Sequence, residues 1–217
     1  MAKQLRRINR NDCEKVYYLV DANFLANRHI NETKVQDSKE QHQIVCAKAW
    51  WKEIKGQLVR DQARVYVLDL CIAEAFKVLA RKYYNNEEIF ANPGSYSHAK
   101  AALAKDLTLS SKEAKKSTRS IKYHDIQTNR DIIISVDRFF ERSCKKRKSY
   151  GATGIVDLLI LSTAKYLVDF YGLPKDRLFI VTQDKPLYKL AKSYADLPMV
   201  FNPAEPRDAA SKVFGDA

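Results

Sequence analysis

The sequence of 217 residues predicts an α/β domain in which helices cover both faces of a parallel sheet. Short runs of apolar, β-favouring residues alternate along the chain with longer stretches in which apolar residues recur every three or four positions. A hydrophobic fraction of 46% supports a real core, and the length suits one domain rather than two. We therefore predict a single domain over residues 1–217, with an insertion at residues 85–130.

The first half of the chain contains two predicted strands and two helices. VYYLV (Val16–Val20) predicts a buried strand, and the Asp-Ala-Asn after it predicts a turn. Residues 38–58 carry apolar side chains at alternating steps of three and four, which predicts an amphipathic helix with Trp51 on its core side. VYVLDL (residues 65–70) predicts a second buried strand, followed at once by a helix.

The second half repeats this alternation. Residues 132–135 predict a third strand, which leads into a helix ending in the run KKRK. The next helix is predicted to begin near Gly154 and to end at the Gly-Leu-Pro of residues 172–174. Residues 178–181 predict a fourth buried strand, and residues 198–201 a short edge strand.

Residues 85–130 differ in character from this core. They contain NN and NPG, an alanine-rich helical piece over residues 96–107, a capping-box pattern at residues 110–113 and many basic side chains. We interpret the segment as a helical, basic insertion on the core fold.

Charge and segment patterns limit the class of protein. The formal net charge of +12 favours a polyanionic partner such as nucleic acid, although solvated basic faces alone would also produce it. No apolar run reaches the roughly 18 residues needed to cross a bilayer. The polar, basic start of the chain does not resemble a secretory signal, so we expect a cytoplasmic setting.

The cysteines are far apart in sequence and none forms a CxxC pair, so neither zinc binding nor a disulfide framework is expected. We predict reduced, mostly buried thiols at Cys13, Cys46, Cys71 and Cys144.

Four acidic residues occupy positions where chemistry is expected. Asp21 ends the first strand, and Glu74 lies in the opening turns of the helix after the second. Asp157 lies near the start of an apolar helix, and Asp184 follows the last long strand by three residues. Capping explains Asp21 and Asp184 equally well when each is taken alone, and the helix dipole explains Glu74. Asp157 is different, because its helix should be buried and a buried carboxylate needs a partner.

All four positions belong to the carboxyl edge of a parallel sheet, where ligands bind in such folds. Carboxylates brought together there repel one another, and a divalent cation makes the group favourable. Oxygen ligands without Cys or His select Mg²⁺ or Mn²⁺ over zinc. The pattern therefore predicts metal-assisted hydrolysis of a phosphodiester.

VDANFL, the Glu of IAEAFK, the Asp of GIVDLLILSTA and the Asp of VTQDKPL resemble the ordered acidic motifs of PIN-domain nucleases, the VapC-like ribonucleases. The resemblance covers about residues 16–81 and 132–201 and leaves out the insertion. It implies a three-layer α/β/α sandwich and cleavage of single-stranded RNA that depends on Mg²⁺ or Mn²⁺. By the same resemblance the metal ligands and catalytic residues are Asp21, Glu74, Asp157 and Asp184.

The resemblance also implies roles for neighbouring residues and partners. Asn23 and Thr182 would orient water or phosphate, with turn hydrogen bonding as the alternative. The basic run would contact the RNA backbone, with a solvated helix end as the alternative; it consists of Lys145, Lys146, Arg147 and Lys148. DNA stays open as a substrate. Many such proteins are toxins, so an antitoxin or other protein partner, and a homodimer, are further expectations.

Two other classes of function compete with a nuclease. The first is a module with the same fold that binds RNA or a protein without cutting. The second is a phosphatase-like hydrolase with Asp21 as the nucleophile, but such enzymes need an Asp two residues later, where Asn23 stands.

Overall fold

The computed structural model describes residues 14–84, 93–107, 126 and 128–215, and its centre is a parallel sheet. The strand order is β2-β1-β3-β4, and every pairing within it is parallel. The strands are β1 (Val16–Val20), β2 (Ala63–Val67), β3 (Leu178–Val181) and β4 (Met199–Phe201). Four successive residues of β1 are buried, so both faces of the sheet are covered.

Helices supply the two outer layers, which makes the fold a three-layer α/β/α sandwich. Their bounds are α1 (Ala22–Asn27), α2 (Ser38–Val59), α3 (Asp69–Tyr84), α4 (Pro93–Leu107), α5 (Arg130–Ser135), α6 (Asp137–Tyr150), α7 (Ile155–Asp169), α8 (Lys185–Lys192) and α9 (Ala210–Phe214). The predicted α/β class with a central parallel sheet is confirmed.

The register of the sheet aligns the carboxyl ends of its strands. Val20, the last residue of β1, pairs with Val67 of β2 and with Val181 of β3. Val181 in turn pairs with Phe201, the last residue of β4. The residues that follow these strands therefore leave the sheet at one edge, which is where the predicted site was expected.

The prediction of a strand at residues 132–135 is wrong, because this segment is helix α5. The side chain of Asn129 accepts a hydrogen bond from the backbone N–H of Ile132 at 2.9 Å and so caps the helix. Ile132, Val136 and Phe139 are buried at helical spacing, while Ile133 and Ile134 are exposed. Capping and burial at helical spacing together outweigh the preference of three consecutive isoleucines for a strand.

Smaller differences concern the ends of elements. Strand β2 ends at Val67 rather than at residue 70, because the carbonyl of Leu68 already accepts the N–H groups of Cys71 and Ile72. The predicted turn after β1 is the first turn of α1. The other predicted helices and strands are present, including the edge strand β4 and the helical piece at residues 96–107, which is part of α4.

Side-chain burial tests two further predictions. Trp51 is in the core, where it stacks on Phe24 and donates to the Phe24 carbonyl. The thiols are not mostly buried: of the three that the structure describes, only Cys71 is buried, Cys46 is half-buried and Cys144 is exposed. Cys13 lies outside the described residues.

The insertion can be described only in part. Helix α4 packs against α3, and Asp106 near its end forms an ion pair with Arg28 beside α1. The predicted capping box at residues 110–113 lies outside the described residues. Within the part of the chain that the structure describes, no helix has the length and hydropathy of a membrane span.

Candidate functional site

Asp21 is buried at the carboxyl edge, directly after β1. One carboxylate oxygen, Oδ1, accepts the N–H of Phe24 at 2.6 Å, which caps α1. The other, Oδ2, accepts the N–H of Gln183 at 3.1 Å and the hydroxyl hydrogen of Thr182. Asp21 therefore caps a helix and also ties β1 to the loop after β3.

Thr182 holds two of the predicted acidic residues in place. Its hydroxyl is fully buried, donates to Asp21 and accepts the backbone N–H of Asp184 at 2.9 Å. The hydroxyl hydrogen of Thr182 is thus committed to a carboxylate. Orientation of water or phosphate by this residue stays a prediction.

Asp184 and Asp157 both sit at the openings of helices. Asp184 caps α8, because its Oδ1 accepts the N–H of Leu187 at 2.7 Å. Asp157 lies in the first turn of α7, and its Oδ2 accepts the N–H of Gly154 at 2.8 Å. Among the described residues, each of these two carboxylates accepts this one hydrogen bond, so its second oxygen is available to another ligand. The apolar residues around Asp157 predict that its side chain is buried, but in the structure it is half-buried.

Glu74 and Asn23 are also half-buried. Glu74 lies on α3, and no hydrogen bond to its carboxylate exists among the described residues. Asn23 lies on α1, two residues after Asp21, and lines a cleft beside the acidic residues. Neither position tests the chemical role predicted for it.

Neighbouring acidic residues raise the pKa values of Asp157 and Asp21. Burial raises the pKa of Asp157 to about 7, and the negative charges of Asp184, Asp21 and Glu74 add to the increase. Burial also raises the pKa of Asp21 to about 6 and that of Asp184 to a lesser extent. The charge of Asp184 contributes to the shift at Asp21, against the hydrogen bonds from Thr182, Phe24 and Gln183.

The buried thiol of Cys71 is affected by the same negative charges. Burial raises the pKa of its thiol, and the charges of Asp21, Glu74 and Asp157 raise it further. Asp184, Asp21 and Glu74 therefore each act electrostatically on Asp157. The structure brings them to one region, which we call the acidic quartet: Asp21, Glu74, Asp157 and Asp184.

The donor set of the acidic quartet suits a hard divalent cation, because it offers carboxylate oxygens alone. Within the part of the chain that the structure describes, Asp157 and Asp184 each have one oxygen without a hydrogen bond, and the repulsion between the acids is what a dication would reverse. Within the described residues, no three Asp, Glu, His or Cys side chains come close enough to share one ion in these rotamers.

A cleft of about 340 Å³ borders the acidic quartet, a volume at the small end of ligand pockets, roughly 300–1,000 Å³. Its lining includes Asp184 together with the cations Arg81, Lys82 and Lys185. These cations were not predicted from the sequence, because Arg81 and Lys82 look like ordinary basic residues in the last turn of a helix. The cleft therefore combines an acidic end with a basic wall.

A chain of buried and partly buried hydrogen bonds connects this basic wall to Asp21. The N–H of Gln183 donates to Asp21, and the side-chain oxygen of Gln183 accepts from Asn27 at 2.7 Å. The side-chain oxygen of Asn27 accepts from Lys82 at 2.7 Å, and Lys82 also forms an ion pair with Glu40. Burial lowers the pKa of Lys82 to about 8. We call Asp21, Gln183, Asn27 and Lys82 the polar relay.

The basic run at residues 145–148 lies at the exposed end of α6. Gly151, just after α6, has a φ of +98°, and a Cβ built there would be 2.9 Å from Cγ of Pro186. Pro186 lies two residues after Asp184, and Lys189 of α8 donates to the carbonyl of Ser149 at 3.3 Å. The end of α6 therefore packs beside the start of α8, close to the acidic quartet.

Comparison with known proteins adds little to this picture. No protein-family model matches the chain, and no curated protein matches it. Among solved structures, the chain is similar to the crystal structure of PAE2754 from Pyrobaculum aerophilum, with 16% identity, coverage of 93% of each chain and a TM-score of 0.41. A likeness at this identity and TM-score supports no conclusion about function.

Proposed function

We propose that the protein is a divalent-metal-dependent nuclease that hydrolyses phosphodiester bonds, with single-stranded RNA as its first expected substrate. One observation carries the proposal: four carboxylates from separate segments lie in one region at the carboxyl edge of the sheet, and burial together with the charges of neighbouring acids raises the pKa values of Asp21 and Asp157. Such an arrangement costs stability unless a cation joins it. Perturbed acidic groups beside a cleft are typical of functional sites.

The residues that would hold Mg²⁺ or Mn²⁺ are those of the acidic quartet. At such a site these ions acidify water and stabilise negative charge on a leaving oxygen. The protein's own contribution is to fix the carboxylates: Thr182 and Gln183 hold Asp21, while the N-terminal turns of α7 and α8 hold Asp157 and Asp184. Fixed ligands reduce the reorganisation that the reaction needs.

The surroundings of the acidic quartet support a polyanionic substrate. The cleft beside it carries Arg81, Lys82 and Lys185, and the basic run at residues 145–148 lies on the neighbouring helix end. The formal net charge of +12 acts in the same direction over longer distances. Phosphate contacts of this kind do not distinguish RNA from DNA, so both are tested.

The experiment compares cleavage by wild type and by an Asp157→Asn variant, using end-labelled single-stranded RNA and DNA with Mn²⁺, Mg²⁺ or EDTA. Asparagine at position 157 still accepts the N–H of Gly154, so the helix start survives while a negative ligand is lost. We expect cleavage with Mn²⁺ or Mg²⁺, none with EDTA, and a loss of about 100-fold or more in the variant.

The matched control is Asp169→Asn, at the exposed end of the same helix, which should cleave like wild type. Asp21→Asn is a poorer probe, because an amide nitrogen there would face the donors Thr182 and Gln183. Cleavage that persists in EDTA, or equal activity of Asp157→Asn and wild type, would contradict the proposal.

A second candidate is a module of this fold that binds RNA or a protein without cutting. One observation favours it: Asp21 already accepts three hydrogen bonds from the protein, which satisfies much of its acceptor capacity. Salt-sensitive RNA binding without cleavage in any metal would select this function. Membership of a toxin–antitoxin pair and homodimer formation stay predictions.

A further inference from the structure

We infer that Lys82 binds a phosphate of the nucleic-acid strand within the cleft, exchanging the Glu40 carboxylate for it, and that the polar relay fixes this lysine relative to Asp21. The inference rests on the proposed function for the identity of the strand. It assigns a substrate-binding role to a residue outside the acidic quartet and outside the basic run at the end of α6.

Lys82 differs from the other cations of the cleft in how it is held. Arg81 and Lys185 are exposed, so their charges are screened by solvent. Lys82 is half-buried, and its ammonium donates to Asn27 at 2.7 Å. A cation fixed in this way can set the register of a bound strand, whereas a mobile cation adds attraction without position.

The partners of Lys82 connect it to the acidic end of the cleft. Asn27 and Gln183 are almost fully buried, and Gln183 is held further by a hydrogen bond from its side-chain nitrogen to the carbonyl of Gln43 at 2.6 Å. The N–H of Gln183 donates to Asp21. Every member of the relay is therefore tied to the next by a hydrogen bond, which fixes the separation of Lys82 and Asp21.

Glu40 is suited to being displaced from Lys82. It lies in the first turn of α2, and its backbone N–H is satisfied by Asp37 at 2.6 Å. The N-terminal end of a helix stabilises a carboxylate on its own, so Glu40 can remain ionised after Lys82 has turned to another anion. A phosphate in the cleft is such an anion and accepts charge-assisted hydrogen bonds from lysine.

The test measures binding of a fluorescein-labelled single-stranded RNA by anisotropy in EDTA, at several salt concentrations, with the full-length protein. Lys82→Met should weaken binding about tenfold and lower the salt dependence by about one phosphate contact. Glu40→Gln should tighten binding about threefold or more, because it removes the anion that competes for Lys82. A purely structural ion pair predicts no tightening on loss of Glu40.

Matched controls separate this effect from general charge. Lys77→Met removes an exposed cation from the same helix, and Glu53→Gln removes an acid from the same helix as Glu40. Both should change the dissociation constant less than twofold. Because Lys82→Met leaves Glu40 unpaired, the Lys82→Met, Glu40→Gln double variant is measured as well, and it should bind as weakly as the single lysine variant. Lys82→Arg should bind close to wild type.

The outcomes distinguish this inference from the proposed nuclease. Wild-type binding by Lys82→Met or by the double variant, no tightening by Glu40→Gln, or no RNA binding by wild type overturns the inference, whatever happens to cleavage. The expected pattern of dissociation constants without cleavage supports the role of Lys82 and overturns the nuclease. Where cleavage occurs, Lys82→Met should raise KM more than it lowers kcat, since the lysine acts on binding.

Discussion

The pKa values of aspartates are shifted in opposite directions at the two edges of the sheet. At the amino edge, Asp61 precedes β2 and contacts Arg64 and Lys15, which hold the pKa of its carboxyl well below the usual range. At the carboxyl edge, burial and neighbouring carboxylates raise the pKa values of Asp21 and Asp157 to about 6 and about 7. The same side chain is stabilised as an anion at one edge and destabilised as an anion at the other.

The difference lies in where the compensating charge comes from. The amino edge supplies two cations from the chain itself, and its aspartate is exposed. The carboxyl edge supplies Asp21 with neutral donors, the Thr182 hydroxyl and two backbone N–H groups, and places acids around it. Ion pairs of the first kind stabilise the fold, whereas a carboxylate that is held by neutral donors among other acids is suited to binding a cation from solution.

The largest expected effect is on the pH dependence of stability. Because the pKa of Asp21 is raised in the folded protein, its contribution to stability is fully present below pH 4 and is lost as the pH rises through about 6. For this residue the loss is on the order of 3 kcal/mol. Asp157 acts in the same direction up to about pH 7.

Urea denaturation of the metal-free protein between pH 4 and pH 8 measures this loss. Asp157→Asn should lose less stability over the range than wild type does. Mn²⁺ should raise the unfolding temperature more at pH 8 than at pH 5, because binding at pH 5 must displace protons. If the unfolding free energies of wild type and Asp157→Asn depend on pH in the same way, the claim that the carboxyl edge destabilises the Asp157 anion is contradicted.

A smaller effect is expected from Thr182→Val, which keeps the shape of the side chain. It removes the hydrogen bond to Asp21 and the acceptor of the Asp184 N–H, both at a buried position. We expect a loss of about 1–3 kcal/mol in unfolding free energy. Cleavage of the labelled RNA should fall about tenfold or more, because two carboxylates lose their alignment.

Thr163→Val is the control for this change. Thr163 is fully buried, and its hydroxyl has no hydrogen-bond partner within the described part of the chain. Valine there should leave stability and cleavage close to wild type. Equal effects at the two threonines would show that Thr182 matters for packing and not for the acidic quartet.

The smallest effect is expected at the amino edge, from Asp61→Asn. Asparagine tolerates the left-handed backbone at this position, where φ is +58°, so only the charge changes. Exposed ion pairs contribute about 1 kcal/mol or less, and the unfolding free energy should fall by no more than that. Cleavage and the response to Mn²⁺ should not change. If Asp61→Asn lowers cleavage more than Thr182→Val does, the assignment of the site to the carboxyl edge is contradicted.

Patterns within single segments were enough to predict the sheet and the positions of the acidic residues. Each of these patterns lies within one short element: the apolar runs of β1 and β3, and the apolar stripe of α2. The residues in these patterns are apolar because the fold buries them. Asp21, Glu74, Asp157 and Asp184 then follow from where parallel strands end. Helix α5 was missed because its isoleucines favour a strand, whereas the cap at Asn129 and the buried spacing decide for a helix.

The basic wall of the cleft could not be predicted in this way. The hydrogen bonds of the polar relay join residues that are far apart in sequence, such as Asn27 and Gln183. The spacing of apolar residues along the chain does not reveal that an amide side chain will form a hydrogen bond with a distant element. Lys82 becomes distinctive only when α1, α2 and α3 are packed together, because its contacts with Asn27 and Glu40 bring all three helices to one point.

Gly151 connects two parts of this surface. Its left-handed backbone and the 2.9 Å approach of a Cβ to Pro186 leave no room for a side chain. The glycine therefore sets how far the basic end of α6 stands from the start of α8, and with it the distance between the positive run and Asp184. In the proposed function, the distance between the basic run and Asp184 would set the room for a nucleic-acid strand, and this distance depends on a residue that carries no functional group of its own.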